Sequence, residues 1–342
     1  MTYVGATFRW PIIAFALVMV TTVVAAQSPA YKVPRTPDGQ PDIQGFWTNA
    51  TYTPLERPTG VIKQYYTPQE LEAVLKKAAA GESAQTAPGT TADVHYDFSQ
   101  FGLDRSQSTF VRSLRTSLIV DPPDGKVPPF SAEGKRRLAA REEEQKKLGG
   151  RWDSAESNQL DDRCLIMAGP GPPMMDAAYN SNYHIVQSGG VVMILTEMIH
   201  DVRIIPLDPS TGSGSPRAES RGDNRPKLSP AIRLYMGDGR AHWEGNSLVV
   251  ETTNFTDRTH FGYNNRYNSQ QFTLTERFTP VGPNTLQWQV TFNDPEVWTR
   301  PFTFVMPLTR DNSQPVFEYA CHEGNLGLEH ILSAARAEER QR

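Results

Sequence analysis

The chain has 342 residues with 38 acidic and 34 basic side chains, a formal net charge of −4 at neutral pH. That balance offers no electrostatic footprint for a nucleic-acid partner. With 27 Pro, 25 Gly and only 21% charged residues, the composition argues against a helical bundle and for many turns between short strands.

At the start, Arg9 precedes an apolar run from Trp10 to Val24, and Val24-Ala25-Ala26 places small residues before Gln27. This predicts a signal peptide over residues 1–26, cleaved after Ala26, and an exported protein, periplasmic or secreted. The apolar run approaches the lower limit of a spanning helix, so an uncleaved anchor is the alternative. No later stretch is apolar enough to span a bilayer, and no stable membrane insertion is expected after cleavage.

Residues 27–182 read as an irregular and helical wrap forming one module with the region that follows. The stretch 27–64 is Pro-rich and extended, with an apolar patch from Ile43 to Tyr52. A helix begins at Pro68, with Thr67 as N-cap and Glu70 closing a capping box, and Gly81 marks its end. Leu71, Val74, Leu75 and Ala78 give it one apolar face. Residues 81–94 have loop composition. The segment RTSLIVDPPDGKVPP (Arg115 to Pro129) predicts a short strand stopped by two prolines and an Asp-Gly turn. A second helix is predicted over 131–148, its charged face solvated.

From Tyr183 the pattern becomes short apolar runs between turn residues. Eight such runs lie between Tyr183 and Leu308, and PVFEYACH (Pro315 to His322) makes a ninth. Gly189-Gly190, Gly245-Asn246 and Gly282-Pro283-Asn284 sit where tight reversals are needed. Leu286, Trp288, Val290 and Phe292 alternate with Gln287, Gln289 and Thr291, so the sheet has two unlike faces. The fold class is therefore mainly β: an antiparallel meander of eight to nine strands over 183–342, closed as a lipocalin-like barrel, with a two-sheet sandwich as the alternative. The insert Asp208 to Pro230 is a long loop, and Leu328, Ile331, Leu332 and Ala335 stripe a helix over 328–340 that flanks or plugs the sheet.

Cys164 and Cys321 both lie in the exported part, and two cysteines in an oxidising compartment are expected to pair. Free thiols are the alternative. Neither cysteine has a second at zinc-ligand spacing.

The groups able to carry chemistry fall into clusters. In GDGRAHWEGNSLVVETTNF (Gly237 to Phe255), Arg240, His242 and Glu244 share one face of a strand, with Trp243 between them, and Glu251 interrupts the next strand. Glu276 falls on the same face as Phe272, Leu274 and Phe278, so it needs a partner: Arg203, Arg240 or, least well placed, Arg277. Glu197, His200, Asp201 and Arg203 bracket a reversal, and His322 and Glu323 follow Cys321. A metal held by His200, His322 and a carboxylate is a minor alternative to solvated loop charges. Tyr179, Asn180, Asn182 and Tyr183 suit either the rim of a ligand pocket or an ordinary polar barrel mouth. No nucleophile elbow, dinucleotide fingerprint or haem-attachment site is present, so no cofactor is expected.

The segments RTSLIVDPPDGKVPP, EMIHDVRIIPLD, GDGRAHWEGNSLVVETTNF and EYACHEGN together resemble those of a large family of exported bacterial proteins of unassigned function. The likeness runs from about Pro41 to the C-terminal helix. The family pattern around the third segment usually has other residues at Gly239, Ala241, Asn246 and Ser247, mostly turn positions, while Arg240, Trp243 and Glu244 match. The resemblance implies a single module and supplies no mechanism.

Two functions follow from these residues. The first is a small-molecule-binding barrel with a partly apolar pocket whose ligand contacts come from Arg203, Arg240, Trp243, Tyr179, Tyr183 and His200. The second is a cofactor-independent hydrolase, lyase or isomerase in the same cavity. There Glu276 or Glu251 would be the general base, His242 or His322 the acid, and an arginine would stabilise negative charge.

Overall fold

A computed structural model describes residues 31–82, 112–147, 154–166, 171–175, 180–208, 228–259, 267–313 and 315–341. The expected signal peptide, Tyr179 and most of the insert after Asp208 lie outside the described residues.

The alternating runs form the strands that their period demands. In chain order these are β1 (Gly45–Thr48), β2 (Ile119–Asp121), β3 (Asn182–Ser188), β4 (Val191–Thr196) and β5 (Val202–Pro206). Then come β6 (Asp238–Glu244), β7 (Ser247–Thr253), β8 (Thr273–Gly282), β9 (Thr285–Asn293) and β10 (Phe302–Arg310). Gly190 and Gly245 take φ of 86° and 61° in the β3–β4 and β6–β7 turns, a conformation that glycine adopts without a steric penalty.

The sheet runs β5-β4-β3-β1-β10-β9-β8-β7-β6, each neighbour antiparallel, with β2 paired to β10 off this path. The edges nearly close on each other: Leu207 and Ala241 form a parallel bridge, and the Asp208 N–H donates to the Ala241 carbonyl at 2.7 Å. An odd number of strands, all antiparallel, must meet in parallel at the seam. Parallel neighbours cannot be joined by a tight hairpin, which explains the long connection between β5 and β6.

The ninth strand of this path is not the one expected. PVFEYACH has no strand, whereas GFWT inserts as β1 between β3 and β10 and joins the β3–β5 meander to the β6–β10 meander. The region 27–182 thus supplies two strands to the sheet as well as a covering. β1 escapes a sequence reading because four residues are too few to show a period.

Among the described residues three α-helices accompany the barrel. In α1 (Pro68–Glu82) the expected capping box forms: the Glu70 N–H donates to Thr67 Oγ1, and the Thr67 N–H to Glu70 Oε2. In α2 (Ala132–Lys147) the Ser131 hydroxyl accepts from the Gly134 N–H. Gly134 is buried against the chain before β10, where a Cβ would lie 2.4 Å from the Val297 carbonyl oxygen. The apolar stripe of α3 (Leu326–Glu339) is only half-buried, and no residue of this helix is fully buried.

Inside the barrel, register fixes which residues meet. Leu248, Phe278, Trp288 and Met306 form one row, and Val250, Glu276, Val290 and Phe304 the next. All eight are at 0% exposure. Phe292 stacks on Phe302 at 4.5 Å between centroids, and Trp288 meets Phe304 edge-on at 5.3 Å. Side chains beyond the reach of water leave no room for a ligand, so this part of the interior is a packed core and not the hollow expected.

Candidate functional site

The polar groups singled out in the sequence do not converge on a single site. On β6, Gly239, Ala241 and Trp243 pair with Thr252, Val250 and Leu248, whose side chains are buried. Alternation then turns Arg240, His242 and Glu244 to the outer face. There Arg240 stands opposite Glu251 and 3.6 Å from Asp238 Oδ1. His242 Nε2 lies 3.1 Å from Glu244 Oε1, while Glu244 Oε2 accepts from Arg277 at 2.6 Å. The Arg277 guanidinium, then His242, hold the Glu244 carboxyl below its usual range. These contacts lie on the outer face of the sheet. His200 and His322 are exposed in turns. Among the described residues no three His, Cys, Asp or Glu side chains come together as a metal-holding group.

Four of the named residues face inward. Glu276 does so among phenylalanines, as its parity demands, and Arg203 is the partner: Nη1 and Nη2 donate to Oε1 and Oε2 at 3.1 and 2.5 Å, with side chains 4% and 0% exposed. A fork-to-fork pair of this kind satisfies both charges. It leaves neither group available as a base or a ligand clamp. Tyr183 is buried, and its hydroxyl accepts from Asn49 Nδ2 at 3.1 Å. Trp243 packs against the core, its N–H without a hydrogen-bond partner among the described residues.

The reversal between β4 and β5 and the start of β3 are brought together. Glu197, only 3% exposed, accepts from Asn180 Nδ2 at 2.7 Å and from Asn182 Nδ2 at 2.8 Å. Burial raises its carboxyl above the usual value; the amides and the nearby His200 oppose this less strongly. Around it Asn180, Ile199 and His200 have φ of 54°, 63° and 57°. For a β-branched residue such as Ile199 this is strained backbone.

Beyond Phe317, the chain forms one wall of a cleft, open to solvent, of about 460 Å³, within the range of small-molecule sites. The opposite wall is the turn that ends at Cys164, where the Cys164 N–H donates to the Asp161 carbonyl at 3.0 Å. The Cys164–Cys321 disulfide joins the two walls, with Cα atoms 5.7 Å apart. Asn325 bridges them again, its Nδ2 at 3.3 Å from both the Asp162 carbonyl and Cys164 Sγ. Leu328 and Ile331 of α3 supply the apolar side, and Asp161, Asp162, Glu318 and Tyr319 the polar one.

The pairing of the cysteines was legible, and so was the α3 stripe. The cavity between them was not, although a signal existed: DDRC and EYAC put Asp161 and Glu318 each three residues before a half-cystine. Bridging two such segments places both residues on the lining of one space.

Comparison of the chain with protein-family models, with curated proteins and with solved structures finds no match.

Proposed function

We propose that this is an exported small-molecule-binding β-barrel protein whose ligand occupies the cavity at the Cys164–Cys321 disulfide. The observation that carries this reading is the cavity itself: about 460 Å³, with an apolar helix face on one side and carboxylates and a phenol on the other. The disulfide supports export, because such bonds persist in oxidising compartments. Among the described residues no helix is long and apolar enough to cross a membrane. The resemblance of the four sequence segments to exported bacterial proteins points the same way.

The acid–base reading has less support. Glu276 is spent on Arg203, and the close carboxylate–imidazole pair, His242 and Glu244, sits on the outer face. Native mass spectrometry of the protein purified from its own host tests the binding reading. Retained small-molecule mass is expected, and it should be lost in an Ala320→Trp variant that fills the cavity. A bare polypeptide mass in both proteins would overturn it.

A further inference from the structure

We propose that the outer face of β3, β4 and β5 is an interface through which two copies of this chain pair about a two-fold axis.

In a barrel whose core lies inside, alternation puts polar side chains on the outer face. On β6 to β9 it does so: Arg240, His242, Glu251, Arg277 and Gln289 point outward. The strands β3 to β5 depart from this pattern. With Ile185, Ile194 and Arg203 buried inside, register sets two rows on the outside, His184–Leu195–Val202 and Val186–Met193–Ile204. Met193 and Val202 are exposed, and Ile204 is 56% exposed. No outward position of these three strands holds a lysine, arginine, aspartate or glutamate. His184 adds no charge at neutral pH: its ring stacks on Phe46 of β1 at 4.2 Å between centroids, and burial lowers its pKa.

The area fits a small dimer. Together with β1 the face spans four adjacent strands. At about 4.8 Å per strand and about 3.4 Å per residue over residues 191–195, it measures about 19 by 17 Å, or about 330 Å². An interface at the small end of specific complexes buries about 600 Å² on each partner, of which about 340–390 Å² is apolar. The face supplies that apolar centre.

A second copy is the occupant these features select. Two sheet faces pack about 10 Å apart with their strands about 30° from aligned, and a two-fold contact requires a surface that accepts itself. An uncharged face does so without opposing like charges. Met193 lies between Val186 and Ile204, so an axis near it sets each row against its counterpart, and its unbranched thioether adapts to its own image. A lipid surface fits less well, because the face offers no basic side chain to anionic headgroups.

Sedimentation velocity of the disulfide-intact protein, from about 1 to about 500 µM, tests this over the range of a weak complex. The sedimentation coefficient should rise with concentration to that of a dimer. Met193→Lys and Ile204→Lys should each weaken the dimer at least about tenfold, since each buries an unpaired charge at the contact. Gln287→Lys, exposed on the outer face of β9, should leave it unchanged. Both tested positions are exposed in the single chain, and an unaltered urea midpoint verifies the fold of each variant. Oxidation of Met193 by peroxide, read by peptide mass, should slow as the parent dimerises and stay fast in Ile204→Lys. A dimer that survives both lysines would overturn the proposal, since it would pair through another face. A monomer at every concentration would overturn it too: rapid oxidation of Met193 would then show a face left open, and slow oxidation a face covered by the chain itself.

Discussion

Replacing one member of the Arg203–Glu276 pair tests how the barrel interior is held. The two charge centres, about 4 Å apart, attract by about 4 kcal/mol at an effective dielectric constant of 20. Taking each ion out of water costs several kcal/mol, so the intact pair contributes little net stability. Breaking it is different. With side chains only 4% and 0% exposed, Arg203→Met leaves a carboxylate among Val250 and Val290, its register neighbours on β7 and β9, with no route to water. A loss of about 3–5 kcal/mol is expected for Arg203→Met and again for Glu276→Leu. The double variant should recover most of it, since two apolar side chains suit this core. Urea unfolding followed by the fluorescence of the buried Trp288 measures all four proteins. Single losses below about 1 kcal/mol, or a double loss equal to the sum of the singles, would refute the argument that the pair is sealed from water.

Other consequences are as direct. Removing the disulfide as Cys164→Ser with Cys321→Ser frees a loop of sequence separation 157, for which chain entropy sets a ceiling of about 5 kcal/mol. A lowered urea midpoint is expected, and an unchanged one would show that the bridge does not constrain the unfolded chain. Glu197, whose folded carboxyl is raised above 4.5 chiefly by burial, contributes stability that is fully present below its unfolded pKa and lost as pH rises through the folded one. Stability of the parent relative to Glu197→Gln should therefore fall as pH rises from about 4, and a parallel pH course in the two would contradict it. Gly134→Ala should favour an isolated helix by about 1 kcal/mol. In this fold the added Cβ lies 2.4 Å from a backbone oxygen of Val297, so the melting temperature should drop, and a rise would show that α2 can shift away.

Strand and helix identities belong to short-range physics, and these were legible in the sequence. The period-two alternation of β8 and β9, the Gly turns and the Thr67–Glu70 capping box each follow from a few adjacent residues. So did the inward parity of Glu276 and its need for a cation, because alternation assigns faces before any partner is known.

Which cation, which strand and which space were decided in three dimensions. Arg203 reaches Glu276 only because closure of the barrel brings β5 across from β8. GFWT became the strand that joins the two meanders because a gap between β3 and β10 needed four residues of backbone, a demand made by the other strands and not by GFWT itself. The outward turn of Arg240, His242 and Glu251 followed from which face of β6 and β7 met the core, a choice that alternation alone leaves open. The cavity at Cys164 and Cys321 depends on two segments far apart in the chain lying side by side. Local preference acts over a few residues, whereas the distance between two carboxylates is set by everything folded between them.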